Sequence, residues 1–224
     1  AAEAYNVVVR ASNGAVVYQS TDGHAGAFYD AESIRWAPDS SALMLMKVEP
    51  GETRFVTRVL TAPTDQLEPK TLTQLYPKPG DKIDRDQPVL IQLKTAKAML
   101  IDNSLFAKPY TLDQVQWQQD SSAFTFRYTE RGHQLARIIE VNANTAKARA
   151  LLTEQTDTFI DQWSAFYQPL HGNKASQKAL PQHIEKGFIW LSERDGWAHL
   201  YRYDQDGKLK NQITKGAWRV RHVV

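Results

Sequence analysis

Two similar phrases, "WAPDSSALMLM" at residues 36–46 and "WQQDSSAFTFR" at residues 117–127, decide how this sequence is interpreted. Each begins with a tryptophan, continues through Asp-Ser-Ser and ends in an apolar run with the composition of a β-strand. A phrase that recurs within one chain indicates a repeat architecture, in which each copy is one structural unit. The sequence therefore predicts at least two equivalent units, with Trp36 and Trp117 at corresponding positions.

Three β-hairpins accompany these phrases. The first turns at Ser12-Asn13-Gly14, and Asn-Gly is a strong hairpin signal because both residues tolerate a positive φ. The last joins residues 199–204 to residues 209–214, and Gly207 suits its turn because a Cβ would clash there. In the middle hairpin, between residues 135–141 and 148–154, Ala146 stands where glycine would be more comfortable, so Asn144 or a wider loop is expected to absorb the strain.

Antiparallel strands in units with a recurring tryptophan and acidic turn predict an all-β protein of the β-propeller type. A looser third copy reads "GFIWLSERD" at residues 187–195. The spacing of the phrases exceeds the roughly 40 to 45 residues of an ordinary blade, so the blades must carry insertions. We expect Trp36 and Trp117 to lie in the inner part of a blade against the neighbouring blade, and the Asp-Ser-Ser side chains to cap the turn.

Composition excludes several classes of function. The 27 Lys and Arg residues nearly balance the 25 Asp and Glu residues, and they are scattered, so no nucleic-acid partner is predicted. Without cysteine there can be neither disulfide nor thiol catalysis, and the six histidines lack the spacing of metal ligands, so we predict no metal site and no cofactor. No apolar run approaches the roughly 18 residues of a membrane helix, so no membrane span is predicted.

Residues 76–83, 124–152 and 189–218 resemble the propeller domain of the dipeptidyl peptidase IV family of serine peptidases, and most closely its bacterial members. The most specific phrase is "SERDGWAHLY", followed by "QITKGAW". The resemblance covers nearly the whole chain. It implies that residues 1–224 are a fragment of one propeller, with about three to four four-stranded antiparallel blades of a probable eight.

That family also has an α/β-hydrolase domain, which this chain lacks. In agreement, the sequence contains no Gly-x-Ser-x-Gly elbow to hold a nucleophile, and we predict no catalytic residue in it. The end of the sequence has a strand-like pattern, which suggests that the natural polypeptide continues.

The resemblance implies a function in selection rather than in bond cleavage. In the family, propeller and hydrolase domain enclose a cavity where dipeptides are released from the amino termini of short peptides. The expected partners are therefore short peptides and the C-terminal hydrolase domain of the same periplasmic or secreted protein. The alternative is a stand-alone propeller-type module that binds a protein or a glycan, which a gene lacking the Gly-x-Ser-x-Gly elbow after Val224 would indicate.

The family's propeller binds the substrate's α-ammonium group with a pair of glutamates. That pair belongs just ahead of the first tryptophan phrase, within residues 22–38, where no Glu-Glu stands. Asp30 and Glu32 are the carboxylates nearest to that position, and they are either replacements for the pair or turn and surface residues. Arg131 and His133, in "ERGHQ", are further candidates for side chains that face the cavity, unless they form a hydrogen-bond network that holds their hairpin.

Residues 52–76 are too long for one hairpin loop and have β-branched residues on both sides of a Pro-containing bend. In members of the family, an arm from a corresponding blade helps to form the dimer. The resemblance therefore implies a possible homodimer through residues 52–76. The alternative is a loop that folds back on its own blade.

Overall fold

The regular structure of this chain is entirely β within the residues that the computed structural model describes, namely 2–161, 167–169 and 187–221. No helix in that part is long and apolar enough to cross a membrane. The strands of the described residues are β1 (Ala2–Glu3), β2 (Asn6–Arg10), β3 (Val16–Gln19), β4 (Phe28–Trp36), β5 (Ala42–Glu49), β6 (Phe55–Leu60), β7 (Lys70–Leu75), β8 (Arg85–Gln92), β9 (Lys97–Leu100), β10 (Pro109–Trp117), β11 (Ala123–Glu130), β12 (Leu135–Asn142), β13 (Ala148–Gln155), β14 (Tyr167–Pro169), β15 (Gly187–Ser192), β16 (His199–Asp204) and β17 (Leu209–Gln212).

These strands form three four-stranded antiparallel sheets, which we call the first, second and third blades. The first blade has the order β4-β5-β8-β9, the second β10-β11-β12-β13 and the third β14-β15-β16-β17. A three-stranded sheet, β1-β2-β3, precedes them, and a two-stranded ribbon, β6-β7, is inserted between the second and third strands of the first blade. The predicted all-β, partial β-propeller fold is confirmed, and the inserted ribbon accounts for the wide spacing of the repeated phrases.

The hydrophobic cores lie between successive sheets, because alternate residues of a strand point to opposite faces. On β5, Leu43 and Leu45 pack in a cluster with Val7 and Val9 of the three-stranded sheet. The residues between them, Met44 and Met46, pack instead with the second blade. A third cluster joins the second blade to the third and contains Ala136, Ile138, Leu151, Leu152, Phe188, Trp190, Tyr201 and Tyr203. Each of these interfaces therefore buries one face of two sheets, as in a propeller.

The Asp-Ser-Ser turns of the two repeated phrases have the same geometry. The amide of Ser41 donates to Oδ1 of Asp39 at 2.9 Å, and that of Ser122 donates to Oδ1 of Asp120 at 3.0 Å. The first serine of each Asp-Ser-Ser turn has a left-handed backbone conformation, with φ of 61° at Ser40 and 60° at Ser121. The predicted capping of these turns is confirmed.

The two tryptophans hold equivalent places in the backbone but different surroundings. Trp36 pairs with Leu43, and Trp117 pairs with Phe124, each at the end of the first strand of its blade. Trp117 packs against the core between the first and second blades, whereas the side chain of Trp36 is 48% exposed. The prediction that both tryptophans are covered by a neighbouring blade was therefore wrong for Trp36.

The proposed third copy at residues 187–195 is not equivalent to the other two. Trp190 lies in β15, the second strand of its blade, and is fully buried, whereas Trp36 and Trp117 end a first strand. The prediction failed because an aromatic strand followed by a polar turn gives the same sequence pattern in any strand of a blade.

The hairpin turns agree with the sequence in part. Gly207 has a φ of 83°, and a Cβ there would overlap the carbonyl of Leu151 on the second blade, as the clash argument predicts. In the first turn only Gly14 has a positive φ, of 84°, not Asn13 as well. Ala146 itself takes the left-handed conformation, with a φ of 56°, so the expectation that Asn144 or a wider loop absorbs the strain was wrong.

Candidate functional site

A bulge interrupts β4, the first strand of the first blade. The pairing with β5 jumps from Asp30–Met46 to Arg35–Met44, so residues 31–34 lie opposite a single residue. In β10 the corresponding jump leaves only residues 114–115 unpaired. The first blade therefore carries two more residues than the second at this point of its first strand.

Local hydrogen bonds hold the longer bulge in place. Oδ1 of Asp30 accepts from the amide of Glu32 at 2.9 Å. Oγ of Ser33 donates to the carbonyl of Asp30 at 2.6 Å and accepts from the amide of Met46 at 2.8 Å. The side chain of Glu32 is exposed. Because the first strands β4 and β10 contact each other, as strands around a propeller axis do, the bulge lies on the axial side of the blade.

Asp30 and its counterpart in the second blade, Asp113, differ in the residue that lies opposite them on the neighbouring strand. Asp113, at the equivalent register position, forms a bidentate ion pair with Arg127, with Nε and Nη2 donating at 2.8 and 2.7 Å. The residue across from Asp30 is Met46. No ion pair joins Asp30 to any cation of the described residues. One blade thus satisfies its first-strand aspartate with a cation, and the other leaves it without one.

A further carboxylate, Asp86, lies near both Asp30 and Asp84. Burial raises the pKa of Asp86, and the negative charges of Asp84 and Asp30 raise it further. Asp84 accepts a hydrogen bond of 2.7 Å from the amide of Gly51, whereas within the described part of the chain the carboxylate of Asp86 has no hydrogen bond. We call Asp30, Asp84 and Asp86 the acidic cluster. A partly buried carboxylate with like-charged neighbours is stabilised by any cation that enters the site.

Sequence reasoning missed Asp84 and Asp86. Their signal was the Asp-x-Asp pattern at the start of a strand, in "GDKIDRDQ" at residues 80–87. The sequence alone does not show that this pattern lies near Asp30. In the structure β5 pairs with both β4 and β8, and Val48 of β5 lies opposite Asp86 on one side and Phe28, in the strand of Asp30, on the other.

Arg131 and His133 lie in the turn between β11 and β12. Nη2 of Arg131 donates to the carbonyl of Asp81 at 2.7 Å, and Arg131 lines a cavity between the first and second blades. No hydrogen bond or ion pair between described residues joins Arg131 or His133 to Asp30 or Glu32. Within the described residues no direct polar contact therefore joins the two pairs of candidates, and the idea that all four face the cavity stays a prediction.

The ring of His133 is packed between two aromatic rings rather than held by hydrogen bonds. It stacks on Phe159 with a centroid distance of 4.5 Å and lies 4.4 Å from the ring of Tyr110. Its Nδ1 is buried and has no hydrogen-bond partner in the described part of the chain. The backbone closes the turn, because the amide of His133 donates to the carbonyl of Glu130 at 2.9 Å.

The described ranges contain no group of three or more His, Cys, Asp or Glu side chains that could hold a metal ion.

Comparisons with known proteins give a consistent assignment of the fold. The chain aligns with the crystal structure of Porphyromonas gingivalis dipeptidyl peptidase 4 over 97% of its length, with a TM-score of 0.70 and 19% identity. It aligns with a putative dipeptidyl aminopeptidase IV from Bacteroides ovatus over 94% of its length, with a TM-score of 0.61 and 16% identity. In each case the chain covers 31% of the solved protein.

Similarity to curated proteins points the same way. The chain is 25% identical over 156 residues to dipeptidyl peptidase 4 of Arthroderma otae and 23% identical over 155 residues to that of Trichophyton rubrum. It spans 19% of the length of these relatives. The sequence model of the dipeptidyl peptidase IV (DPP IV) N-terminal region matches residues 24–224. The chain therefore belongs to the family of dipeptidyl peptidase IV N-terminal regions.

Proposed function

We propose that this chain is the part of a dipeptidyl peptidase's propeller that admits short peptides and positions their amino termini. The hydrolysis itself belongs to an α/β-hydrolase domain of the same protein, with a Ser-His-Asp triad and an oxyanion hole. Membership in the family and the alignment with a solved dipeptidyl peptidase support this proposal over a stand-alone binding module. A Gly-x-Ser-x-Gly elbow encoded after Val224 is the expected finding in the gene.

The observation that carries the proposal is Asp30, a first-strand carboxylate without a cation. Its counterpart Asp113 is paired with Arg127, whereas Asp30 lies near Asp86, which also has Asp84 as a like-charged neighbour. An α-ammonium group supplies one positive charge and three hydrogen-bond donors, which match an acceptor-only cluster. The acidic cluster thus takes the place of the Glu-Glu pair that the sequence lacks, with Asp30 and Asp86 as the groups that accept from the ammonium. Glu32 is exposed on the bulge, and its amide donates to Asp30.

The test is kinetic and uses the full-length protein. With dipeptidyl chromogenic substrates that have a free amino terminus, Asp30→Asn is expected to lower kcat/KM by at least about tenfold, the usual effect of losing a hydrogen bond to a charged group. The rate on amino-terminally blocked substrates should not fall. Asp206→Asn, in an exposed hairpin turn, is the matched control and should leave both rates unchanged.

Two results would count against this assignment. If Asp30→Asn and Asp86→Asn cleave free and blocked substrates with unchanged kcat/KM, the ammonium group is bound elsewhere. If the wild-type protein cleaves blocked substrates as well as free ones, it is not an aminopeptidase of this kind.

We also propose that residues 52–76, which we call the arm, join two copies of the protein. The arm consists of β6, β7 and their connection, and its strands pair with each other and with no blade. Phe55, Val59 and Leu75 are 62%, 60% and 58% exposed. Exposed apolar side chains on a ribbon with two open edges favour pairing with another chain. A second copy of the arm is the proposed partner.

A further inference from the structure

A second charged site lies at the junction of the first and second blades, and its sign is opposite to that of the acidic cluster. It is a cavity of about 300 Å³. One wall comes from residues 82–85, at the start of β8, and the other from residues 107–109 and the turn after β11. We call it the basic cavity, and its lining consists of Lys82, Ile83, Asp84, Arg85, Ala107, Lys108, Pro109 and Arg131.

The backbone of the basic cavity is fixed on both sides. The carbonyl of Lys82 accepts from the amide of Glu52 at 2.7 Å, and a Cβ at Gly51 would overlap the same carbonyl. The carbonyl of Lys108 accepts from the amide of Arg131 at 3.0 Å. The guanidinium of Arg131 spans the two walls, because it donates to the carbonyl of Asp81. The cations are therefore presented by a preformed framework.

Most of the positive charge in the basic cavity is not neutralised. Arg85 has a carboxylate partner, Glu49, at 3.2 Å. Within the described part of the chain, the ammonium groups of Lys82 and Lys108 have no hydrogen bond or ion pair, and Arg131 bonds only to an uncharged carbonyl. Asp84 is the single carboxylate of the lining, and it already accepts from the amide of Gly51. Three cationic residues thus line the cavity without an ion pair to any carboxylate of the described residues.

Part of the lining of the basic cavity is apolar. It consists of Ile83, Ala107 and the buried Pro109, which we call the apolar floor. An occupant should therefore have a compact apolar group next to a negative charge. A free inorganic anion would leave the apolar floor uncovered, whereas the carboxyl-terminal residue of a short peptide matches both features.

We propose that the basic cavity binds the terminal carboxylate of a short peptide, with Lys82, Lys108 and Arg131 as its cationic partners. The choice of a peptide as the carrier of this carboxylate rests on the proposed function. Asp84 belongs to both the acidic cluster and the lining of the basic cavity, so the two sites are adjacent. The pair of sites selects peptides that have both ends free, and a long or folded chain cannot supply its carboxyl terminus there.

The experiment measures binding to the full-length protein by isothermal titration calorimetry, with N-acetyl-glycyl-leucine and its carboxamide as probes. The acetyl group removes the ammonium, so this binding is independent of the acidic cluster. The free acid is expected to bind at least about fivefold more tightly than the amide, since it alone gains a charge-assisted bond. Raising NaCl from about 0.05 M to about 0.5 M should weaken binding of the acid and not of the amide.

Substitutions localise the effect. Lys82→Gln and Lys108→Gln should each weaken binding of the free acid about two- to fivefold, the range of exposed charge pairs, and leave the amide unchanged. Lys97→Gln, an exposed lysine on β9, is the matched control and should bind both probes as the wild type does.

Three outcomes would overturn the proposal. Equal affinity for acid and amide in the wild-type protein excludes recognition of a carboxylate. Unchanged binding of the acid by both lysine variants places any carboxylate site elsewhere. Lower melting temperatures of the lysine variants with unchanged binding would show that the lysines stabilise the fold and do not bind the carboxylate. A preference for the acid that persists in Asp30→Asn supports the basic cavity even if the ammonium assignment fails.

Discussion

The backbone amide of Asp39 donates a hydrogen bond of 3.2 Å to Oγ of Ser121, which joins the turn of one repeated phrase to the turn of the other. Close by, Nε1 of Trp117 donates to the carbonyl of Arg35 at 3.0 Å. Both bonds link residues 82 positions apart. The phrase recurs because the Asp-Ser-Ser turns of the first and second blades contact each other. Its residues therefore determine the contact between the blades as well as the shape of each turn.

This relationship predicts different effects for the same substitution in the two copies. Trp117→Phe removes the donor to Arg35 and should lower the free energy of unfolding by about 1 kcal/mol or more. Trp36 is 48% exposed, so Trp36→Phe should change the free energy of unfolding by less than about 0.5 kcal/mol. Thermal melts of the two variants beside the wild type make the comparison, and equal losses of stability would contradict the contact between blades.

Gly207 gives a second matched comparison. Gly207 and Gly14 have nearly the same φ, 83° and 84°, but a Cβ overlaps the carbonyl of Leu151 only at Gly207. Gly14→Ala should therefore cost only the strain of a left-handed alanine, about 1 kcal/mol, because nothing lies near its Cβ. Gly207→Ala should cost roughly 3 kcal/mol or more, since the turn must move away from the second blade.

The check is urea denaturation of both variants. Similar midpoints for the two would show that the turn at Gly207 moves away from Leu151 without loss, and that the close approach of the second and third blades is not tightly specified.

The parts of the fold that were predictable are those set by local chemistry. The Asp-Ser-Ser turns and the left-handed turn at Gly207 are set by residues close together in sequence, so their pattern was sufficient. Trp36 was misjudged because burial depends on the neighbouring sheet, which the local pattern does not contain. Trp190 was taken as a third copy because the same pattern also fits the second strand of a blade. Of the acidic cluster, the sequence singled out only Asp30, which stands near the repeated phrase. Asp86 is brought to it only through strand pairing across β5.

Asp81 makes stability depend on pH in the acid range. It is 7% exposed, and the guanidinium of Arg54 holds its pKa at about 2, below the ordinary value of 3.8, with the amide of Lys78 donating as well. Because the pKa is lower in the folded state, this stabilisation is complete above about pH 4 and is lost as the pH falls towards 2.

Asp81→Asn removes that dependence. The melting temperature of the wild type should exceed that of Asp81→Asn at pH 6, and the difference should shrink between about pH 4 and pH 2. Melting curves at half-unit pH steps measure it. A difference that stays constant over this range would show that Asp81 stabilises the base of the arm as an uncharged hydrogen-bonding group and not through its charge.

The arm leads to the last prediction, on the mass of the protein in solution. Phe55, Thr57 and Val59 alternate along β6, opposite Leu75, Thr73 and Thr71 of β7, and Oγ1 of Thr57 lies 3.1 Å from Oγ1 of Thr73. This uncharged face is where two arms would meet, so Val59→Asp should place a desolvated charge there and convert a dimer into a monomer. Multi-angle light scattering of the full-length protein gives the mass. Leu100→Asp, at a position that is 65% exposed on β9, is the control and should leave the mass unchanged.

Charge reversal at Arg58 tests the opposite face of the ribbon. Arg54 is unsuitable for this test, because its Nε donates a hydrogen bond of 2.8 Å to Asp81 and loss of that bond would loosen the base of the arm. A dimer that persists in both Val59→Asp and Arg58→Glu would show that the arm does not carry the subunit contact. A wild-type protein that is monomeric at all accessible concentrations would lead to the same conclusion, and the exposed apolar residues of β6 and β7 would then require a different partner.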